Sequence, residues 1–423
     1  MTTLARTLPP SVLLCLLTLA SSGFAQSAPT KPRARDLGIT FGGKPGANNA
    51  ITDVPGVEVG HTTLNAQESG ARTGVTAVLP RGKDGVAEPV FAATFALNGN
   101  GEMTGTHWVD ESGELSGPVM ITNTNDIGAV RDGVITWAMK RDLAWELGLP
   151  IVAETWDGYL SDIGGFHVKA GHAHQALDTA RGGPVAEGSV GGGTGMMCHG
   201  FKGGIGTASR KLTVTDGGYT VGVLVQCNYG SRRLLSVEGV PVGEEINDLQ
   251  PCYVGAEKPT GPFTAKLRPC SASSGVTGPT LKEGTGSIII VVGTDAPLLP
   301  HQLKRIARRV ALGLGKMGGL GENSSGDIFL AFSTQRLKAP EQSAARSVSV
   351  LDNEQMNPLF EATVQATQEA ILNSMLAAET MTSARGIRVF PLPHDRLVKA
   401  LKKYGRLASA TAKEGQKPAR RTK

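Results

Sequence analysis

The stretch "KEGTGSIIIVVGTD", Lys282 to Asp295, decides how the chain is read. A Gly-Thr-Gly turn runs into five consecutive β-branched residues, Ile288 to Val292, the pattern of a buried core strand. At the head of that strand stands a small hydroxylic residue, Ser287, with Gly286 before it. Two readings are open here: Ser287 is the ordinary first residue of a core strand, or it is a nucleophile exposed when the chain is cut before it.

The second reading has physical requirements. A serine can use its own α-amine as the base once it becomes an N-terminus, which needs a small hydroxylic residue, a rigid strand behind it and a cuttable loop ahead of it. Gly286-Ser287 satisfies all three: glycine leaves the scissile carbonyl open, and residues 231–286 lose periodicity and accumulate Pro, Gly, Ser and Lys. A connection that long is either functional or a place where the chain is cut.

Outward from this point, "LLPHQLKRIARRVALGLGKMGG" predicts an amphipathic helix on Leu303, Ile306, Val310 and Leu314, and "GDIFLAFST" a strand. "NPLFEATVQATQEAILNSMLAAET" predicts a second long helix with Asn357 as N-cap and Pro358 at the first helical position. Upstream, "ITDVPGVEVGHTTL" reads as turn and strand, and "TGVTAVLP", "PVFAATFAL" and "PIVAET" as further strands. Val130, Val134, Trp137, Leu143 and Leu147 predict a helix over 127–147, and "LTVT-DGG-YTVGVLVQ" predicts a hairpin ending at Cys227-Asn228. Strand pairs followed by helices in blocks argue for a layered α/β (α+β) architecture, not a strictly alternating doubly wound fold.

The ends read differently. Arg6, an apolar run from Val12 to Ala20 and Gly23-Phe24-Ala25 predict a signal peptide over 1–25, and hence an exported protein, periplasmic or secreted, with no membrane span once the leader is removed. Cys15 falls in the leader. Of the remaining cysteines, Cys252 and Cys270 enclose a short Pro/Gly-rich loop and form the expected disulfide, whereas Cys198 and Cys227 sit in apolar contexts that predict buried thiols. Residues 396–423 carry ten Lys/Arg against Glu414, so a mildly acidic body precedes a basic tail, its last part, 405–423, expected to be disordered. With 5% aromatic residues the chain offers little for stacking on nucleic acid, and no nucleic-acid partner is expected.

Motifs narrow the chemistry further. The segment "GSVGGGTGMMCHGFKGGIG" lacks a phosphate-loop Lys-Ser/Thr pair and opens no βαβ unit, so it predicts close packing and not a nucleotide site. His172 and His174, two apart, suit one face of a strand and have no third ligand, so no metal or cofactor is implied. His199, His301 and His394 are isolated and read as structural or surface residues. No G-x-S-x-G elbow occurs, and no serine has an evident His/Asp set.

Six blocks, "ITDVPGVEVGH", "ETWDGYLSDI", "GGGTGMMCHGFKGGIGTASR", "VGVLVQCNYG", "GSIIIVVGTDAPLLPHQLKRIARR" and "NSSGDIFLAFST", occur in order over nearly the whole mature chain. They resemble the β-aminopeptidase family, which includes the L-aminopeptidase/D-amidase/D-esterase. The resemblance implies an αββα sandwich similar to the N-terminal-nucleophile hydrolases with different connectivity, and a precursor that cleaves itself between Gly286 and Ser287. The larger product would be 26–286 and the smaller 287–423, two parts of one catalytic domain, in a homotetramer of processed pairs.

By the same resemblance Ser287 is the nucleophile, Ser325 and Asp327 its supporting hydroxyl and carboxylate, and Asn228 the oxyanion donor. Glu154 captures the free amine of a short peptide, amide or ester bearing a β-amino or small L-amino acid. Trp156 stands where some relatives have tyrosine; its indole can donate but has no ionisable oxygen. Two rivals are an acyl transferase similar to the ornithine acetyltransferases, in which threonine usually serves as nucleophile, and an exported solute-binding protein that is never cut.

Overall fold

The computed structural model describes residues 31–143, 145–261, 264–270, 280–281, 285–336 and 347–407, together with Thr2. The expected leader, apart from Thr2, lies outside the described residues, as does the tail beyond Leu407.

The strands are β1 (Glu58–Ala66), β2 (Ala71–Leu79), β3 (Val90–Gly99), β4 (Glu114–Leu115), β5 (Val119–Asn123), β6 (Ile151–Thr155), β7 (Met197–Cys198), β8 (Phe201–Lys202), β9 (Gly204–Lys211), β10 (Thr220–Asn228), β11 (Cys252–Tyr253), β12 (Thr285–Thr294), β13 (Ser324–Ser333), β14 (Met381–Thr382) and β15 (Ile387–Val389). The α-helices are α1 (Thr106–Ser112), α2 (Ile127–Met139), α3 (Ala170–Asp178), α4 (Val242–Glu245), α5 (Pro300–Lys316), α6 (Asn357–Leu376) and α7 (His394–Lys403). One main sheet has the order β1-β2-β5-β6 and the other β4-β3-β13-β12-β10-β9.

Alternation along β12 explains the layering. Ile288, Ile290 and Val292 pack with Leu303, Ile306 and Val310 of α5 and with Ala366, Ala370 and Ile371 of α6. Ile289 and Val291 point the other way, into a core shared with Val119, Ile121, Ile151 and Ala153 of the first sheet. On that sheet's far side Val75, Met120 and Val152 meet Val130, Val134 and Ala173 of α2 and α3. The order is therefore helices, sheet, sheet, helices, the αββα sandwich expected, and β12 is apolar on both faces because both are covered. β12 runs parallel to β13 and antiparallel to β10, and β5 parallel to β6, so both main sheets are mixed.

The lead-in at 33–53 is fastened to α6 through a buried carboxylate. Glu369 bonds Arg35 at 2.9 Å and Arg210 at 2.8 Å and accepts from Asn49 at 2.5 Å. Since a buried charge persists only when paired and hydrogen-bonded, this cluster explains two cations so close to one helix.

Several local expectations change. Helix α2 stops at Met139, not Leu147, because Asp142 adopts φ 57° and Leu143 N donates back to Ala138 O at 3.0 Å, a left-handed helix stop. The first arm of the hairpin is Gly204–Lys211; the "LTVT" segment forms the connection to β10, with a 3₁₀ turn over Val214–Asp216. His172 and His174 lie on helix α3, not a strand. Asn357 and Pro358 are the first residues of α6, and Met356 precedes them as N-cap. The long connection 231–286 contains α4 and β11, and β11 pairs with β15. The glycine segment does pack closely: a Cβ on Gly192 would lie 2.2 Å from Gln226 Oε1 and 2.8 Å from Ile121 O.

Candidate active site

The beginning of β12 lies between the end of β10 and the beginning of β13. Antiparallel pairing sets Asn228 directly opposite Ser287, and parallel pairing sets Ser325 beside Gly286, Gly326 beside Ser287 and Asp327 beside Ile288. Directly opposed residues of an antiparallel pair project from the same face. Ser287 alternates with Ile289, and Asn228 with Leu224, so that face looks toward the first sheet. Both side chains are buried, at 5% and 6% exposure.

Gly286 is required by this packing. Its φ is 138°, and a Cβ there would lie 2.1 Å from Asn228 O, so any side chain would force β10 and β12 apart. Asn228 is held at both ends of its amide: Oδ1 accepts from Met197 N at 2.8 Å, and Nδ2 donates to Trp156 O at 2.8 Å. That donation uses one of the two amide hydrogens.

Ser325 Oγ donates to Asp327 Oδ1 at 2.6 Å. Their register with Gly286 and Ile288 puts this pair on the helix side of the sheet, opposite the side on which Ser287 projects. Ser287 meets them through the peptide between them: its Oγ accepts from Gly326 N at 3.2 Å. Burial raises the Asp327 carboxyl to about 6, opposed by the Ser325 hydrogen bond and reinforced by the Glu322 charge.

Glu154, near the end of β6, is buried, and burial raises its pKa above the usual carboxylate range. The Thr124 hydroxyl donates to one oxygen and Glu102 N to the other, the latter at 3.0 Å, and both bonds oppose the rise. A Cβ on Gly101 would lie 3.0 Å from Glu154 Oε1 and 3.1 Å from Gly326 Cα, so Gly101 separates the carboxylate from the loop beside Ser287 by a single backbone thickness. Glu154 thus lies next to the strand that carries Ser325 and Asp327.

A cavity of about 60 Å³ opens onto Gly286 and Asn228, walled by Trp156, Tyr159, Met197 and Arg232. Trp156 stands edge-on to Tyr159 with ring centroids 4.9 Å apart, so the indole serves as a wall of this cavity. Arg232 is buried over the Phe201 ring and donates to the carbonyls of His199, Gly200, Ile246, Asp248 and Leu249. Burial lowers its guanidinium to about 9.

Two features had no local signal. Asp157 is fully buried beside Asp126 and Glu154, and burial raises its carboxyl to about 8. The sequence shows only a third acidic or aromatic residue in "ETWD", with nothing to say that it is enclosed. Cys198 and Cys227 form a disulfide, with Cα atoms 5.6 Å apart, and are not free thiols. β7 folds back against the end of β10, which apolar sequence context could not reveal. The expected Cys252–Cys270 disulfide is present. His172 Nδ1 accepts from Lys169 N and His174 Nε2 bonds Thr136, so each has a local partner.

Residues 49–389 match Peptidase family S58. The beta-peptidyl aminopeptidase BapA of Sphingosinicella microcystinivorans is 50% identical over 411 residues, covering 95% of this chain and 98% of that one. Among solved structures, the beta-aminopeptidase of a Burkholderia species superposes with a TM-score of 0.75 at 45% identity, over 88% of this chain and 99% of that chain. The L-aminopeptidase D-Ala-esterase/amidase of Ochrobactrum anthropi, described as a prototype serine aminopeptidase with a variant Ntn hydrolase fold, superposes with a TM-score of 0.76 at 42% identity, over 89% of this chain and all of that one.

Proposed function

We propose, from the premise that this chain belongs to peptidase family S58 and is a serine-type aminopeptidase, that Ser287 is its nucleophile and is freed by self-cleavage of the Gly286–Ser287 bond. The observation that carries this is the close opposition of Asn228 and Ser287 around a glycine that tolerates no side chain.

In the first step Ser287 Oγ attacks the Gly286 carbonyl carbon while Asn228 donates to the developing oxyanion. The acyl group moves from nitrogen to oxygen, and water then hydrolyses the ester, leaving a free amine on Ser287 and a carboxylate on Gly286. In the second, that amine takes the proton as the same hydroxyl attacks a substrate carbonyl; the leaving amine departs protonated, and water releases the acyl group. Asp327, through Ser325, steadies the strand beside the nucleophile, and Glu154 receives the substrate ammonium, which confines cleavage to N-terminal residues. Trp156 and Tyr159 form the wall against which the substrate side chain packs.

The substrate class we propose is short peptides, amides and esters that begin with a β-amino acid. Support comes from the beta-peptidyl relative, which is similar over nearly its whole length. The same reading takes 1–25 as an export leader to the periplasm or exterior, and the processed pairs as a homotetramer. Denaturing electrophoresis tests the core of it: the parent protein gives bands of roughly 27 and 14 kDa at about 0.1 kDa per residue, and Ser287→Ala gives a single chain. Two fragments from Ser287→Ala would sink the proposal. Turnover of β-alanyl against L-alanyl and D-alanyl amides tests the substrate class, and a rate for L-alanyl above that for β-alanyl would overturn it.

A further inference from the structure

The end of β3 carries "NGNGE", Asn98 to Glu102, and each polar residue of this turn reaches toward the site. Asn98 Nδ2 shares its two N–H donors among Glu322 O at 3.1 Å, Asn323 O at 3.3 Å and Ser325 O. Asn100 Nδ2 donates to Ser324 O at 3.0 Å. Glu102 N donates to Glu154 Oε1. Four successive residues, 322–325, leading into β13 thus give their carbonyls to two asparagine amides, and Ser325 N closes back on Glu322 O at 2.8 Å.

A β-bulge makes this reach possible. Ile328 pairs with Ala96 but Asp327 pairs with Asn98, so Leu97 is an extra residue on β3. Without it, alternation from Phe95, which pairs with Phe329, would turn Asn98 to the opposite face; with it, Asn98 shares the face of Asp327. Bulges of this kind re-aim side chains beside functional sites.

We infer that Asn98 is a positioning residue for the peptidase reaction, assisted by Asn100: their amides hold the 322–326 loop so that Ser325 meets Asp327 and the Gly326 amide meets the Ser287 hydroxyl. The inference rests on Ser287 as the nucleophile. It explains why two asparagines are gathered at one strand end, since only an amide offers two short, directed N–H donors to neighbouring carbonyls. The asparagine amides thus supply side-chain donors to carbonyls at the opening of β13.

The test compares Asn98→Ala, the isosteric donor-free Asn98→Asp, and Asn100→Ala with the parent. The readouts are the rate of self-cleavage on denaturing gels, kcat and KM of the processed enzyme, the pH profile and the melting temperature. Misplacement by a fraction of an ångström lowers kcat by roughly ten- to a hundredfold in both Asn98 variants, with KM nearly unchanged. Self-cleavage slows in parallel, the acid limb set by Asp327 moves, and Asn100→Ala loses kcat by a few fold. If Asn98→Asp matches the parent, shape and not donation is what matters, and the inference fails. If the Asn98 variants do not fold, Asn100→Ala decides, and an unchanged kcat and cleavage rate there overturns it. Failure of the nucleophile assignment is recognised separately, by Ser287→Ala splitting into two chains.

Discussion

Asn228 and Ser287 stand directly opposite each other across β10 and β12, both buried, with Gly286 pressed against the Asn228 carbonyl. On the proposed function, nucleophile and oxyanion donor form one ladder rung, and the scissile peptide is the next. Anything that spreads β10 from β12 separates all three.

Gly286→Ala tests that closeness. A Cβ 2.1 Å from Asn228 O, on a residue at φ 138°, costs about 1–3 kcal/mol in strained backbone. The expected result is a chain that folds but accumulates uncut, with self-cleavage at least tenfold slower by timed denaturing gels. Cleavage at the parent rate would contradict the packing described.

The pH profile should carry the Asp327 signature. Its carboxyl, raised to about 6 chiefly by burial, holds the Ser325 hydroxyl more strongly when ionised than when protonated, so kcat/KM falls as pH drops through about 6. Asp327→Asn should lose about 10²-fold in kcat and show no limb at that position. A variant that keeps both rate and limb would remove Asp327 from the reaction.

Asp157 should appear in stability instead. Its folded pKa is about 8 against an ordinary 3.8, so between these values the folded chain holds a proton that the unfolded chain has released. That contribution is fully present below about 4 and is lost as pH rises through about 8. Asp157→Asn, uncharged at every pH, should melt a few degrees above the parent at pH 8.5 and show a flatter dependence of melting temperature on pH. Parallel curves for the two proteins would refute the assignment.

The two disulfides should separate stability from turnover. They join residues 29 and 18 apart, and loop-closure entropy puts the loss of either at about 3 kcal/mol. Denaturant midpoints of the two double alanine variants, measured in the uncut Ser287→Ala background, should fall by similar amounts. Activity in the self-cleaving background should suffer more from losing Cys198–Cys227, because those residues adjoin Met197 and Asn228, which share a hydrogen bond. Equal kcat for both double variants would break that link.

What the sequence determined by itself was whatever depends on near neighbours. Local pattern located β1, β2, β3, β6, β12, β13, α5 and α6, because one covered face leaves a period, and two covered faces a continuous apolar run, in consecutive residues. The Gly286-Ser287 junction became a candidate because a glycine, a small hydroxyl and a stiff strand are adjacent along the chain, and the resemblance of six blocks nominated Asn228, Ser325, Asp327 and Glu154, which the proposed function adopts. Tertiary structure decided the rest. Helix α2 ends at Met139, with its left-handed stop at Asp142, although Leu147 continues the apolar pattern and is itself buried after the helix has stopped. Cys198 meets Cys227 only because β7 folds back on β10. Asn98 faces Asp327 only because one bulged residue shifts the phase of β3, and Asp157 is enclosed only once β6 and the glycine segment close over it. The last three depend on how segments apart in sequence pack together, and in a strand pair a shift of one residue turns a side chain to the other face.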